Sequence, residues 1–315
     1  MGCVRPLKGF YTGSKTDTGA DEIIVCSDRV EELSFQIAQR RVGHPIKPVP
    51  GFYELKFNDA VLTQFVDIPC GKCTQCRLDK SRDWAVRCVL EASLHRSNWF
   101  ITLTFDDAHL PKSGKVCKKD IQLFLKRLRH YSDVRYFACG EYGEKSRRPH
   151  YHLILFGLEL PPEDLTQVSK DYFSSEIIRK CWPYGNNVCG EMSFKSAAYV
   201  ARYNMKSLAY DDSSFILMSR RPGLGSEWFK NNFPHITTNK VYFDFGDFHQ
   251  ASLPRYFLEK LKDLDESLYS ACKEISKLYK RDVRGFYDFS DDCLREDMLE
   301  ELAAGKASLL VRSKI

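Results

Sequence analysis

Two segments rich in β-branched and aromatic residues, VRYFACGEY (134–142) and PHYHLILFG (149–157), flank the six-residue loop Gly143-Glu-Lys-Ser-Arg-Arg148. Strand-type runs separated by so short a loop predict an antiparallel hairpin. A third strand, WFITLTF (99–105), has the same character. Helical spacing surrounds these strands. It runs through LDKSRDWAVRCVLEASLHRS (78–97) by way of Leu78, Trp84, Ala85, Cys88, Val89 and Ala92. CKKDIQLFLKRLRHY (117–131) places Ile121, Phe124, Leu125 and Leu128 on one stripe. Further helical patterns at 162–181 and 194–208 bracket the turn-rich WPYGNNVCGEM, and 254–281 reads as one long helix. Residues 1–69 predict irregular structure with a few strands. The resulting class is α+β: a largely antiparallel central sheet with helices packed on one face, an N-terminal Cys-rich segment and a C-terminal helical extension. The expected divisions are an N-terminal segment 1–76, a central domain 77–215 and an extension 216–315.

Composition narrows the function classes. The longest apolar run is strand-sized and ends at Phe156, far short of the roughly 18 residues of a membrane-spanning helix. The polar, basic opening MGCVRPLKGFYTGSKT predicts no secretory leader and a reducing cytoplasm, where twelve cysteines point to thiols or metal ligands before disulfides. No GxxxxGK[ST] occurs, so no nucleotide-driven motor is expected. The net charge of +5 is modest but uneven: between 112 and 135, eight Lys and Arg face two Asp. Such a stretch is either a solvated helix face or a surface for a polyanion.

His150-Tyr151-His152 opens the apolar strand, and period-2 alternation sends both imidazoles to one face and Tyr151 to the other. The pair is either a half-exposed strand face or two ligands about 7 Å apart at Cα. Glu141 on the preceding strand weighs on this choice, because the short hairpin can bring its carboxylate beside both rings. Two His and one carboxylate with open positions suit Mg²⁺ or Mn²⁺ acting as a Lewis acid on phosphate. Downstream, Tyr199 and Tyr203 are i, i+4 on a helix, with Lys206 on the same face. They form either an aromatic core pair or two nucleophiles. A phenol with pKa near 10 needs a nearby cation to attack at neutral pH, and a metal or Lys206 can supply one.

In this order FITLTF (100–105), HYHLIL (150–155) and YVARYNMK (199–206) resemble the HUH endonuclease superfamily. More narrowly, the chain resembles the replication initiation proteins of gokushovirus-type single-stranded DNA bacteriophages. MGCVRPLK, PCGKCTQCR (69–77), ACGEYGEKSRRPHYHLILFG (138–157), WPYG (182–185), SAAYVARYNMK (196–206) and SRRPGLGSEWF (219–229) carry that likeness. Tyr151 departs from the aliphatic residue usual between the two His. The resemblance implies a metal-dependent DNA-nicking and joining enzyme of rolling-circle replication, with Glu141, His150 and His152 on the ion. Tyr199 or Tyr203 attacks a phosphodiester to give a 5′-phosphotyrosine and a free 3′-OH, and Lys206 positions the phosphate. The implied partners are single-stranded origin DNA and a host helicase and polymerase, in the host bacterial cytoplasm.

Thr102 and Thr104 give either ordinary strand amphipathicity or a polar face that holds DNA, and Arg147 and Arg148 are loop cations suited to phosphate. Cys70, Cys73 and Cys76, with Cys3 as a distant fourth, have the residue types for structural Zn²⁺, with an iron–sulfur cluster or a redox role as alternatives. The competing functions are an HUH relaxase or single-strand transposase, and a non-catalytic zinc-stabilised nucleic-acid-binding protein.

Overall fold

The structure, a computed structural model, describes residues 3, 6–16, 21–25, 47–49, 52–57, 60–62, 65–143, 146–201, 215–236, 240–244, 248–285 and 304. The chain divides into two units, Met1–Cys76 with Phe289–Lys306, and Arg77–Asp288 with Ala307–Ile315. In the first unit, β1 (Leu7–Lys15), β2 (Asp21–Val25), β3 (Lys47–Val49), β4 (Phe52–Phe57), β5 (Ala60–Leu62) and β6 (Phe65–Ile68) form two three-stranded antiparallel sheets, ordered β2-β1-β6 and β3-β4-β5. Leu7 of β1 lies opposite Ile68 of β6.

The second unit is built on one sheet. Helix α1 (Thr74–Ala92), whose residues Thr74–Cys76 belong to the first unit, leads to β7 (Asn98–Thr104), α2 (Lys118–Leu128), the hairpin β8 (Arg135–Tyr142) and β9 (Pro149–Phe156), then β10 (Leu165–Ser169) and β11 (Tyr172–Ser175). There follow α3 (Glu176–Cys181), β12 (Asn187–Glu191), the helical residues 194–201 (α4), β13 (Phe215–Met218) and α5 (Ser226–Asn232). The last elements are a hairpin of β14 (Lys240–Asp244) and β15 (Phe248–Ser252), then α6 (Arg255–Leu264) and α7 (Glu266–Gly285). The seven-stranded order is β10-β11-β12-β7-β9-β8-β13, and every adjacent pair is antiparallel. The α+β class with a largely antiparallel sheet is therefore the observed one.

Helices cover both faces of the sheet, not one. Ile101, Leu103, Leu153 and Leu155 pack with Ile121, Phe124, Leu125 and Leu128 of α2. Phe100, Ile154 and Phe156 turn the other way and pack with Val86, Val89 and Leu90 of α1, Val200 of α4, and Phe229 and Phe257. The unbroken run LILF in β9 is the physical reason: a strand apolar on both sides needs cover on both sides. Its basic neighbour α2 thus lies over the face opposite the two His.

Two predicted helices differ. Most of 162–181 is a hairpin of β10 and β11, and only Glu176–Cys181 is helical. Ser175 caps that helix, its hydroxyl accepting the Ile178 N–H at 3.1 Å. The long helix expected over 254–281 breaks at Asp265, which is extended. Its carboxylate accepts the Leu268 N–H at 2.9 Å and so starts α7 afresh.

Two sequence motifs find structural jobs here. In WPYG, the Trp182 indole N–H donates to the Thr104 carbonyl at 3.0 Å, and the Asp106 N–H donates to Tyr184 O at 3.0 Å. Gly185 (φ +156) presses on the same strand end, where a Cβ would stand 2.3 Å from Thr104 O. In SRRPGLGSEWF, the Gly225 N–H donates at 2.7 Å to the buried Glu91, which also accepts from Arg135 and pairs with His95 at 3.1 Å. Burial raises the Glu91 pKa, but the His95, Gly225 and Arg135 contacts outweigh it and leave the carboxyl below its ordinary value.

Tyr151, 0% exposed, is the central polar group of the α2 side. Its hydroxyl accepts the Cys117 N–H at 2.9 Å and donates to Asp120 at 2.6 Å. Burial and the Asp120 carboxylate raise its pKa, so the phenol stays protonated as the donor. Tyr151→Phe strands both partners and should destabilise the protein by about 1–3 kcal/mol, read as a lower urea midpoint.

Candidate functional site

The site is set by strand register. In the β8–β9 hairpin Glu141 lies opposite His150 and Cys139 opposite His152. On the other flank of β9, Thr104 lies opposite His150 and Thr102 opposite His152. Cross-strand neighbours project from the same face, so one carboxylate, two imidazoles and two hydroxyls converge at the N-terminal end of β9. The turn is held by Gly143 N–H to Arg148 O at 2.9 Å and Arg147 N–H to Gly143 O at 2.9 Å, with Arg147 itself at φ 53.

Both imidazoles aim Nε2 at one oxygen, Glu141 Oε1, from 2.7 Å for His150 and 2.9 Å for His152. Glu141 is 9% exposed and His152 5%. Burial raises the Glu141 pKa, but the hydrogen bonds to His150 and His152 outweigh it, so the carboxyl is held below its ordinary value and ionised.

The opposite ring nitrogens test whether these residues fit a metal. His150 Nδ1 faces the Arg148 carbonyl at 3.2 Å, a group that can only accept, so Nδ1 carries a proton. His152 Nδ1 meets Thr102 Oγ1 at 2.9 Å. With His150 Nδ1 directed at the Arg148 carbonyl, a cation that displaced the Nε2 proton would meet the Nε2 lone pair and Glu141 Oε1 together. Fixing the outer ring nitrogen to a carbonyl or hydroxyl is how proteins orient metal-binding imidazoles. The three ligand atoms lie within 4.8 Å of one another, and the donor set fits one ion.

Tyr199 stands beside this set. Its ring is 5.4 Å from that of His152, at 84°, and Phe100 completes the cluster, stacked on His152 at 5.6 Å and edge-on to Tyr199 at 6.1 Å. Phe100 was not among the candidate residues, yet it is two places before Thr102 on the same strand face, so period-2 alternation carried the signal. Tyr203 and Lys206 lie outside the described residues. Thr104 Oγ1 donates to Asn186 O at 3.4 Å. Arg148 pairs with Asp107 and donates to Phe105 O at 3.0 Å, while Arg147 lies 5.2 Å from the Tyr142 ring. A separate cluster in the first unit brings together Cys3, Cys70, Cys73 and Cys76, with all four sulfurs within 4.8 Å. No described helix is long and apolar enough to cross a membrane.

Residues 98–208, which contain Glu141, both His and Tyr199, match the family described as replication-associated protein ORF2/G2P. The chain is 31% identical over 275 residues to replication-associated protein VP4 of Bdellovibrio phage phiMH2K, covering 76% of this chain and 86% of that protein. It is 32% identical over 216 residues to replication-associated protein ORF2 of Spiroplasma virus 4, covering 62% and 68% respectively. With replication-associated protein ORF4 of Chlamydia phage 1 it shares 30% identity over 239 residues, covering 69% and 58%. No solved structure matches the chain.

Thr102→Val removes the partner of His152 Nδ1 and keeps a β-branched side chain. Mn²⁺ affinity, followed by electron paramagnetic resonance titration, should fall roughly 10–100-fold with the circular dichroism spectrum unchanged.

Proposed function

The chain belongs to the replication-associated proteins of phages, and from that premise we propose that it initiates rolling-circle replication by nicking and rejoining single-stranded DNA at an origin. The observation that carries the reading is the Tyr199 ring 5.4 Å from a His152 whose Nε2 shares Glu141 Oε1 with His150. A phenol beside a cation-ready set of ligands is what tyrosine attack on a phosphodiester needs.

Glu141, His150 and His152 would hold a divalent ion, Mg²⁺ or Mn²⁺. When bound, the ion supplies Lewis-acid polarisation of a phosphate oxygen. Thr102 and the Arg148 carbonyl fix the two rings, so the ligands need no rearrangement when DNA arrives. Tyr199 gives up its phenolic proton to solvent, and its oxygen bonds to phosphorus as the P–O3′ bond breaks. The leaving 3′-oxygen takes up a proton. The product is a 5′-phosphotyrosine with a free 3′-OH, and because one phosphate ester replaces another, the same groups can reverse the step without a nucleoside triphosphate. Tyr203, i+4 on the same sequence motif, acts as the second nucleophile that closes the displaced strand, and Lys206 positions the phosphate. Arg147 and Arg148 border the ligands from the turn, where they suit contact with the DNA backbone. The 3′-OH primes a host polymerase, with a host helicase opening the duplex, in the bacterial cytoplasm.

The test is a denaturing gel of the full chain with an origin oligonucleotide and Mn²⁺, followed by mass spectrometry of the adduct. A covalent product on Tyr199 or Tyr203 is expected, lost in the Tyr199→Phe/Tyr203→Phe variant and strongly reduced by Glu141→Gln. An adduct that survives the double substitution overturns the mechanism. DNA binding with no adduct under any divalent ion leaves a non-catalytic binding protein.

A further inference from the structure

The four clustered thiols take no part in the nicking reaction, and their geometry raises a separate question. We propose that Cys3, Cys70, Cys73 and Cys76 bind one zinc ion that fastens the N-terminal end of β1 to the first turn of α1.

Chain topology brings the four together. Antiparallel pairing of Leu7 with Ile68 sends the residues before β1 and those after β6 out at the same end of the sheet. Cys3 and Cys70 meet there, the Cys70 N–H pointing at Cys3 Sγ from 3.3 Å. The chain then turns back tightly through Gly71, at φ +70, where a Cβ would meet nothing within 4 Å. Glycine is needed there for its backbone conformation, not for space. The turn aims two amides at one sulfur, with Lys72 N–H and Cys73 N–H at 3.4 and 3.3 Å from Cys70 Sγ. Cys73 immediately precedes α1, and its sulfur accepts the Cys76 N–H at 3.5 Å, in the manner of a helix N-cap.

Four backbone N–H groups thus converge on three sulfurs. A neutral thiol accepts hydrogen bonds weakly, whereas a thiolate at a helix N-terminus gains from both the amides and the dipole. Thiolates packed this closely repel unless a cation lies among them. The spacing selects the cation. Cys3 Sγ and Cys73 Sγ are 3.7 Å apart, and tetrahedral zinc with Zn–S near 2.3 Å has edges of about 3.8 Å. A disulfide needs about 2.05 Å and joins only two of the four. An iron–sulfur cluster sets its own metals and sulfides between the thiolates, while four sulfurs within 4.8 Å of one another enclose a single atom. Tying residue 3 to residue 70 also closes a loop with a sequence separation of 67, the kind of long closure in which a crosslink restrains the unfolded chain most. Only four residue pairs join β1 to β6, so such a clamp has a clear structural use.

The test uses the purified full chain carrying His150→Ala and His152→Ala, which removes the other metal set. Plasma mass spectrometry should find about one zinc per chain. Titration with a mercurial, read with a chromophoric zinc chelator, should release that zinc as about four thiols react. Cobalt-exchanged protein should show thiolate-to-cobalt charge-transfer absorption with tetrahedral visible bands. Cys73→Ser and Cys76→Ser should lower zinc retention at least tenfold. If those variants fail to fold, the mercurial titration of the otherwise native cluster decides. Substoichiometric zinc, zinc that stays after the thiols have reacted, or stoichiometric iron in its place overturns the proposal.

Discussion

The residue-by-residue pairing of β9 with its two neighbours is the constraint on which the remainder depends. It places Glu141 across from His150 and Thr102 across from His152. A slip of one residue would rotate both imidazoles to the α2 side and bring Tyr151 to the site, since side chains alternate with a period of two. Register is held from both faces. The Tyr151 hydroxyl is fixed to Asp120 and the Cys117 amide on one side, and Phe100 lies stacked on His152 on the other. The polar centre therefore inherits its precision from apolar packing, and its side chains are oriented by the same contacts that make the core.

Much of the centre was legible in the chain itself. HYH at a strand start, a short hairpin and a glutamate one residue before the end of the preceding strand suffice to place these three side chains on one face, because strand geometry leaves little freedom. Less legible was the placement of helices. The order of elements does not say on which face each helix packs, although the unbroken LILF of β9 hinted that both faces would be covered. The stretch 162–181 misled for another reason. Its apolar residues fall near helical spacing, but Asp164 anchors the Ser175 hydroxyl and the Ile177 N–H, the latter at 2.8 Å. Those bonds draw the two ends of a hairpin together and confine the helix to its last six residues. Asp265 worked similarly within 254–281, where one capping carboxylate divided a continuous leucine stripe into two helices.

The buried charge at Glu91 shows how the second unit ties distant sequence to the sheet. Its carboxylate gathers Arg135 from β8, His95 from the end of α1 and the Gly225 amide from the loop before α5. Arg87, one turn earlier, donates to Leu224 O at 3.1 Å while its guanidinium lies 3.9 Å from the Tyr256 ring. Removing any one partner would leave a desolvated charge behind, which is why such networks tend to be kept or lost whole. Leu224 and Gly225 of the motif SRRPGLGSEWF serve this anchoring.

Gly185 leads to a wider conclusion. Its backbone rests so closely on the carbonyl of Thr104 that any side chain would have to displace the strand end that faces His150. Variation at this turn would therefore be transmitted along β7 to the imidazole face, although Gly185 itself contributes no side chain there. In this turn a new side chain can be accommodated beside the glycine rather than at it.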